Sequence, residues 1–292
     1  MFKAHSNAIP ALVTAFDDSG GYAPELQKDL VNLLNTQGAD GYFVAGTSGE
    51  CYHLSLSEKR SLCQDVAELA GGRQVVLHVS SADPRETQAL TREADILGAT
   101  AIAVGAPPYF VYDEKQMWDY LVSLKNLTQL PVFYYFIPSL GGPLLPHQFL
   151  ERAFDEGIVQ GVKYSDTDLL TMSRLIAARP SFKVFVGSDD LVLAGCAMGA
   201  VGAVGSGFNV ALPLVVSLFD ALDDGDLDRA RAAQQRLCKL TTLMEGFEFI
   251  TFLKALLRHQ GLNVGQARPP IRTTPPDASV LTAASELITD SI

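Results

Sequence analysis

The run Ile158-Val159-Gln160-Gly161-Val162-Lys163-Tyr164 carries a lysine at the end of an apolar stretch. An amine drawn into such surroundings without a counter-ion loses solvation of its charged form, so its neutral, nucleophilic form gains weight near pH 7. The same side chain could instead stand at the solvent edge of a strand. The chain has nine lysines; most of the others lie on helix-like segments, and Lys183 opens an apolar run rather than closing one. Tyr135, in Pro131-Val132-Phe133-Tyr134-Tyr135-Phe136-Ile137-Pro138, could shuttle a proton if its hydroxyl is hydrogen-bonded to others. In so aromatic a stretch it could equally be a packing residue.

Three further segments offer polar groups beside apolar runs. In Gly46-Thr47-Ser48-Gly49-Glu50 the glycines allow backbone N–H groups to approach a ligand, so that Thr47 and Ser48 could hold a carboxylate without an arginine; a plain turn reads the same way. Gly187-Ser188-Asp189-Asp190 and Gly205-Ser206-Gly207 place two carboxylates and serines where a polyol could be recognised, although Asp189 and Asp190 would also serve as helix caps. His5, His53, His78, His147 and His259 show no metal-binding spacing and read as structural or surface residues. Cys51, Cys63, Cys196 and Cys238 form no C-x-x-C pair and read as ordinary buried thiols.

These residues must be positioned by an alternation of short apolar runs and amphipathic segments. The runs are 8–13, 41–45, 74–79, 101–104, 131–135, 158–164, 182–186 and 201–204, and most are continuously apolar, as parallel strands buried on both faces are. Helix-like segments follow them, for example 24–37, 57–70 and 83–98, the last opened by Asp83 and Pro84 and closed at Gly98. Eight such units predict an α/β fold, a TIM (β/α)8 barrel, whose active site lies at the C-terminal ends of the strands. An open doubly wound sheet is the structural rival, but residues 199–207 break the G-x-G-x-x-G pattern and no P-loop is present. Segments 212–222, 227–245 and 248–259 look helical. We therefore read one domain over 1–292, with a barrel core over 1–210 and a C-terminal helical extension over 211–292.

The chain of 292 residues is 48% hydrophobic and 19% charged, enough to form a large core. Its net charge of −11 argues against nucleic acid and anionic membranes as partners. No apolar stretch is long enough to span a bilayer and no signal-cleavage pattern opens the chain, so a cytoplasmic location is expected.

Four segments in order, Gly46-Thr47-Ser48-Gly49-Glu50, Pro107-Pro108-Tyr109, Tyr135-Phe136-Ile137-Pro138 and Gly161-Val162-Lys163, resemble the dihydrodipicolinate synthase / N-acetylneuraminate lyase family of class I aldolases. The resemblance extends from Ile9-Pro10-Ala11-Leu12-Val13-Thr14 to Arg268-Pro269-Pro270. It implies a Schiff base between Lys163 and the 2-oxo carbon of pyruvate or a pyruvate-bearing substrate. It implies proton transfer by Tyr135, Thr47 and a Tyr109 from a neighbouring subunit. The Thr47 and Ser48 amides would hold the carboxylate, and Gly187, Asp189, Asp190 and Ser206 the substrate tail. It also implies a homo-oligomer, dimer or tetramer, and neither metal nor organic cofactor. Leu140 stands where dihydrodipicolinate-forming members have arginine, which points to a lyase cleaving a 2-oxo-3-deoxy sugar acid rather than to the synthase. Phe136 replaces the family's usual asparagine and is expected to alter the site wall. The alternatives are a dehydratase or condensing enzyme of the same family, a non-catalytic metabolite-binding member, and, more remotely, a phosphate-sugar isomerase barrel.

Overall fold

A computed structural model describes residues 7–140 and 145–289. The chain alternates strictly between strand and helix through eight units: β1 (Asn7–Pro10), α1 (Pro24–Thr36), β2 (Gly41–Val44), α2 (Leu56–Leu69), β3 (Gln74–His78), α3 (Pro84–Glu93), β4 (Ala101–Val104), α4 (Glu114–Lys125), β5 (Val132–Phe136), α5 (His147–Asp155), β6 (Gly161–Tyr164), α6 (Leu169–Ala178), β7 (Lys183–Val186), α7 (Val192–Ala197), β8 (Gly202–Gly205) and α8 (Phe208–Asp223). Three helices follow: α9 (Leu227–Met244), α10 (Phe249–His259) and α11 (Ala278–Thr289). All strand pairs are parallel, in the order β1-β8-β7-β6-β5-β4-β3-β2. A parallel bridge between Ala11 and Phe43, with the Leu12 N–H donating to the Phe43 carbonyl at 3.0 Å, joins the first strand to the second and closes the ring. This is the expected (β/α)8 barrel with a C-terminal helical extension.

Strand alternation sorts the apolar side chains into two cores. Ile9, Phe43, Val76, Ala103, Phe133, Tyr135, Phe185 and Val204 fill the barrel. Their neighbours Tyr42, Val44, Tyr134, Phe136, Val162, Tyr164, Val184 and Val186 point outward and pack in the larger layer between sheet and helices. Local signals set where the helices begin. Ser55 and Glu58 form a reciprocal capping box at α2. Asp83 caps α3 ahead of Pro84, and that helix ends at Glu93, its remaining residues to Gly98 forming turns.

Two features depart from the sequence reading. The α8 helix packs on β1 as the eighth barrel helix and crosses residue 210, where the sequence places the start of the extension. It is kinked at Ala211 (φ −127°), two residues before Pro213. The last helix, α11, has no counterpart in the sequence reading, although Asp277 directly precedes it and its carbonyl accepts from the Val280 and Leu281 N–H groups; it is held by the burial of Leu281 and Ala284.

Candidate active site

Register brings the two principal candidates together. Lys163 on β6 pairs with Tyr135 on β5 and with Phe185 on β7, so all three side chains project into the barrel at one level. Lys163 is only 5% exposed. Its Nζ stands 3.9 Å from the centre of the Tyr135 ring and 4.9 Å from that of Phe43, and it makes no ion pair among the described residues. The reading in which this lysine sits at a solvent edge is thereby excluded. Gly161, the other inward residue of the strand, has no room for a side chain, because a Cβ would lie 2.2 Å from the Lys183 carbonyl oxygen.

The Tyr135 hydroxyl is 3.2 Å from Oγ1 of Thr47, which places a hydroxyl pair at the mouth above the lysine. The loop carrying Thr47 is a compact turn: Gly49 N–H and Cys51 N–H donate to the Gly46 carbonyl and Glu50 N–H donates to that of Thr47. The N–H groups of Thr47 and Ser48 donate to no acceptor among the described residues, which leaves two donors free at the loop crest. Glycine is required at the base of this turn, since a Cβ at Gly46 would meet the Phe43 ring at 2.6 Å.

Beneath the loop lies a group of charges that the sequence reading missed. Glu50, with φ +58°, accepts from Lys254 Nζ on α10 at 2.8 Å and from the Arg268 N–H at 2.8 Å. The two charged side chains are 0% and 1% exposed. Burial pulls the Lys254 ammonium below its ordinary range, and the Glu50 charge opposes that shift. The Lys254 ammonium and the Arg268 guanidinium also lie over the Phe16 ring, at 4.2 and 4.0 Å from its centre. The C-terminal extension thus returns to brace the mouth of the barrel.

On the opposite rim Ser48 Oγ is 2.6 Å from Ser206 Oγ, which ties the loop after β2 to the loop after β8. Asp189 Oδ2 accepts from the Gly207 N–H at 2.7 Å, at the start of α8, while Oδ1 is buried without a partner. Burial pushes this carboxyl up to about 6, against the opposing bond from Gly207. Gly187 approaches Ser165 so closely that a Cβ would fall 2.0 Å from Ser165 Oγ.

Four sequence expectations need correction or restriction. Asp190 turns away from the mouth: Oδ1 accepts from Thr241 on α9, because adjacent residues of a tight helical turn point in different directions. Phe136 does not form part of the site wall; it faces outward and stacks on Tyr164, with ring centres 5.1 Å apart. Tyr109 is 94% exposed at φ +79°, packed edge-on against Phe110, and this chain does not bring it to its own Thr47–Tyr135 pair. His78, read from the sequence as structural, ends β3 on an inward position and lines a cavity of about 60 Å³ together with Thr47, Cys51, Tyr52 and Tyr135. The signal for it was available: a polar residue closes the otherwise apolar run Val75-Val76-Leu77-His78. Among the described residues no group of three or more His, Cys, Asp or Glu side chains could hold a metal ion, and no helix is long and apolar enough to cross a membrane.

The parallel barrel that holds this buried lysine and tyrosine side by side is a fold shared with known aldolases. The chain belongs to the dihydrodipicolinate synthetase family, whose model matches residues 4–287. It is 30% identical to an N-acetylneuraminate lyase of Rhizobium meliloti, over 90% of this chain and 88% of that protein. The structure of a Ruminococcus gnavus sialic acid aldolase superposes with a TM-score of 0.93 at 26% identity, covering 99% of this chain and 98% of that one. A prophage protein of the dihydrodipicolinic acid synthase family from E. coli K12, solved in complex with pyruvate, superposes with a TM-score of 0.89 at 25% identity, covering 97% of each chain.

Proposed function

We propose that this protein is a class I aldolase that cleaves, reversibly, a 2-oxo-3-deoxy sugar acid of the N-acetylneuraminate type to pyruvate and an aldehyde. The observation that carries this reading is the burial of Lys163 against the Tyr135 ring, with the Tyr135 hydroxyl bonded to Thr47 and free N–H groups at the crest of the neighbouring loop. The Lys163 amine adds to the 2-oxo carbon, and loss of water gives a protonated imine. Removal of the proton from the C4 hydroxyl, through Tyr135 and Thr47, lets the C3–C4 bonding pair flow to the imine nitrogen. The aldehyde leaves, C3 of the resulting enamine takes a proton, and hydrolysis returns the lysine and pyruvate. The Thr47 and Ser48 N–H groups hold the substrate carboxylate, which resolves how an acidic protein accepts an anion. Gly187, Asp189 and Ser206 face the hydroxylated tail. Tyr109 would complete the relay from a second copy in a homo-oligomer, and Leu140, 62% exposed at the rim, offers no cation to a second carboxylate.

The test is incubation with pyruvate followed by borohydride and peptide mass spectrometry. A reduced pyruvyl group on Lys163, absent from a folded Lys163→Ala variant, is expected. Absence of any adduct in the folded wild type would remove the imine mechanism and favour the metabolite-binding alternative. Release of pyruvate from a 2-oxo-3-deoxy sugar acid, rather than loss of water from it, separates the lyase from a dehydratase of the same family.

A further inference from the structure

The cavity beside Tyr135 has a wall that the mechanism above does not use. His78 is 2% exposed, and its Nδ1 lies 3.0 Å from the Ala45 carbonyl oxygen. A carbonyl only accepts, so Nδ1 carries the ring proton and Nε2 presents a bare lone pair. Burial first, then the positive charges of Lys59 and Lys163, keep the ring neutral and draw its pKa down to about 3. Nε2 is buried and has no hydrogen-bond partner. Leaving a buried acceptor unpaired is unfavourable, and a histidine present only for packing would be expected to avoid it.

The surroundings of Nε2 point it toward the site. The ring lies edge-on to Tyr135 with centres 5.5 Å apart, and it stacks on Phe43 at 6.0 Å. Gly105, which lines the same cavity, keeps the approach open: a Cβ there would stand 3.6 Å from Nε2. The cavity of about 60 Å³ is large enough for roughly two water molecules or one hydroxyl-bearing group.

We propose that His78 is a positioning residue for proton transfer: its Nε2 accepts a hydrogen bond from a hydroxyl seated in this cavity and holds that hydroxyl beside the Tyr135–Thr47 pair. This rests on the imine reading of Lys163. The donor is a neutral hydroxyl, because Nε2 has no proton to give. It comes either from a cavity water or from the phenol of Tyr109 in a second copy of the chain.

The experiment uses the full-length protein with pyruvate and two readouts. One is the equilibrium yield of borohydride-trapped adduct on Lys163; the other is the rate at which the C3 hydrogens of pyruvate exchange with D2O, followed by NMR. In His78→Asn the amide nitrogen can replace Nδ1 and keep the Ala45 bond, but nothing replaces Nε2. In His78→Gln the amide oxygen can reach the Nε2 position. The adduct yield of His78→Asn is expected to stay within about twofold of wild type while exchange slows by about ten- to a hundredfold, and His78→Gln is expected to recover part of that rate. Exchange at the wild-type rate in His78→Asn overturns the proposal. So does a loss of adduct that parallels the loss of exchange and is not relieved in His78→Gln, since His78 would then only support the fold. Wild-type protein that forms no adduct overturns the imine reading itself and this proposal with it. Repeating the pair in Tyr109→Phe identifies the donor: no further loss on adding His78→Asn assigns it to the Tyr109 phenol, and a multiplied loss assigns it to water.

Discussion

Replacing Lys254 by methionine removes a charge but little volume, and it leaves the Glu50 carboxylate buried under the Thr47–Ser48 loop. In the native protein that carboxylate has the Lys254 ammonium at 2.8 Å and the Arg268 N–H at 2.8 Å, with both charged side chains shielded from solvent. Only the Arg268 N–H and the more distant His53 ring, at 3.5 Å, remain after the substitution. The Gln266 carbonyl, which accepts from Lys254 at 3.0 Å, also loses that partner. Breaking one side of a buried ion pair costs about 3–5 kcal/mol, because the surviving charge is left uncompensated. Glu50→Gln is expected to lose a similar amount by stranding the ammonium. The double variant Glu50→Gln/Lys254→Met carries no buried charge at this place and should be more stable than the sum of the single losses predicts by about 2 kcal/mol or more. Urea unfolding of all four proteins at one protein concentration provides the cycle. Titration of adduct formation against pyruvate should show a weaker apparent affinity in the single variants, since Glu50 directly follows the loop that offers the two free N–H groups. A loss below about 1 kcal/mol in Lys254→Met, or strictly additive losses in the double variant, would refute the claim that this pair braces the mouth.

Three further outcomes are expected. Tyr135→Phe keeps the aromatic wall 3.9 Å from the lysine amine but removes the hydroxyl bonded to Thr47, so pyruvate hydrogen exchange should fall by about a hundredfold or more while the protein stays folded; thermal unfolding and NMR exchange together check this. Burial raises the Asp189 carboxyl from the ordinary carboxylate range to about 6, so the native state binds the extra proton and stability from this group is present below about pH 4 and lost as pH rises through about 6. Asp189→Asn should therefore gain stability relative to wild type over that window, by about 1–3 kcal/mol, and a difference independent of pH would contradict the shift. Gly46→Ala would drive a Cβ to within 2.6 Å of the Phe43 ring, which flanks Lys163, and is expected to cost about 1–3 kcal/mol and to lower adduct yield; wild-type yield and unfolding midpoint would show that the ring can move freely.

The sequence by itself determined the class of fold, because eight continuously apolar runs separated by capped, amphipathic segments have few ways to bury their surfaces other than a parallel barrel. It also singled out Lys163, since a lysine at the end of such a run is conspicuous in one dimension, and it singled out the glycine-bounded loop after β2. What it left open was the phase of alternation and the company each side chain keeps. Phe136 and Tyr135 are neighbours in the chain, yet only the register of β5 against β6 decides that Tyr135 faces the lysine and Phe136 the helices. Asp189 and Asp190 are equally acidic, and one turn of backbone sends the first to Gly207 and the second to Thr241. The partner of Glu50 lies 204 residues away, and His78 acquires a role only when β3 is set beside the strands carrying Phe43 and, across the barrel, Tyr135. Periodicity and capping are local and survive in the linear chain; facing, burial and charge pairing depend on closing the barrel, and only the tertiary structure decides them.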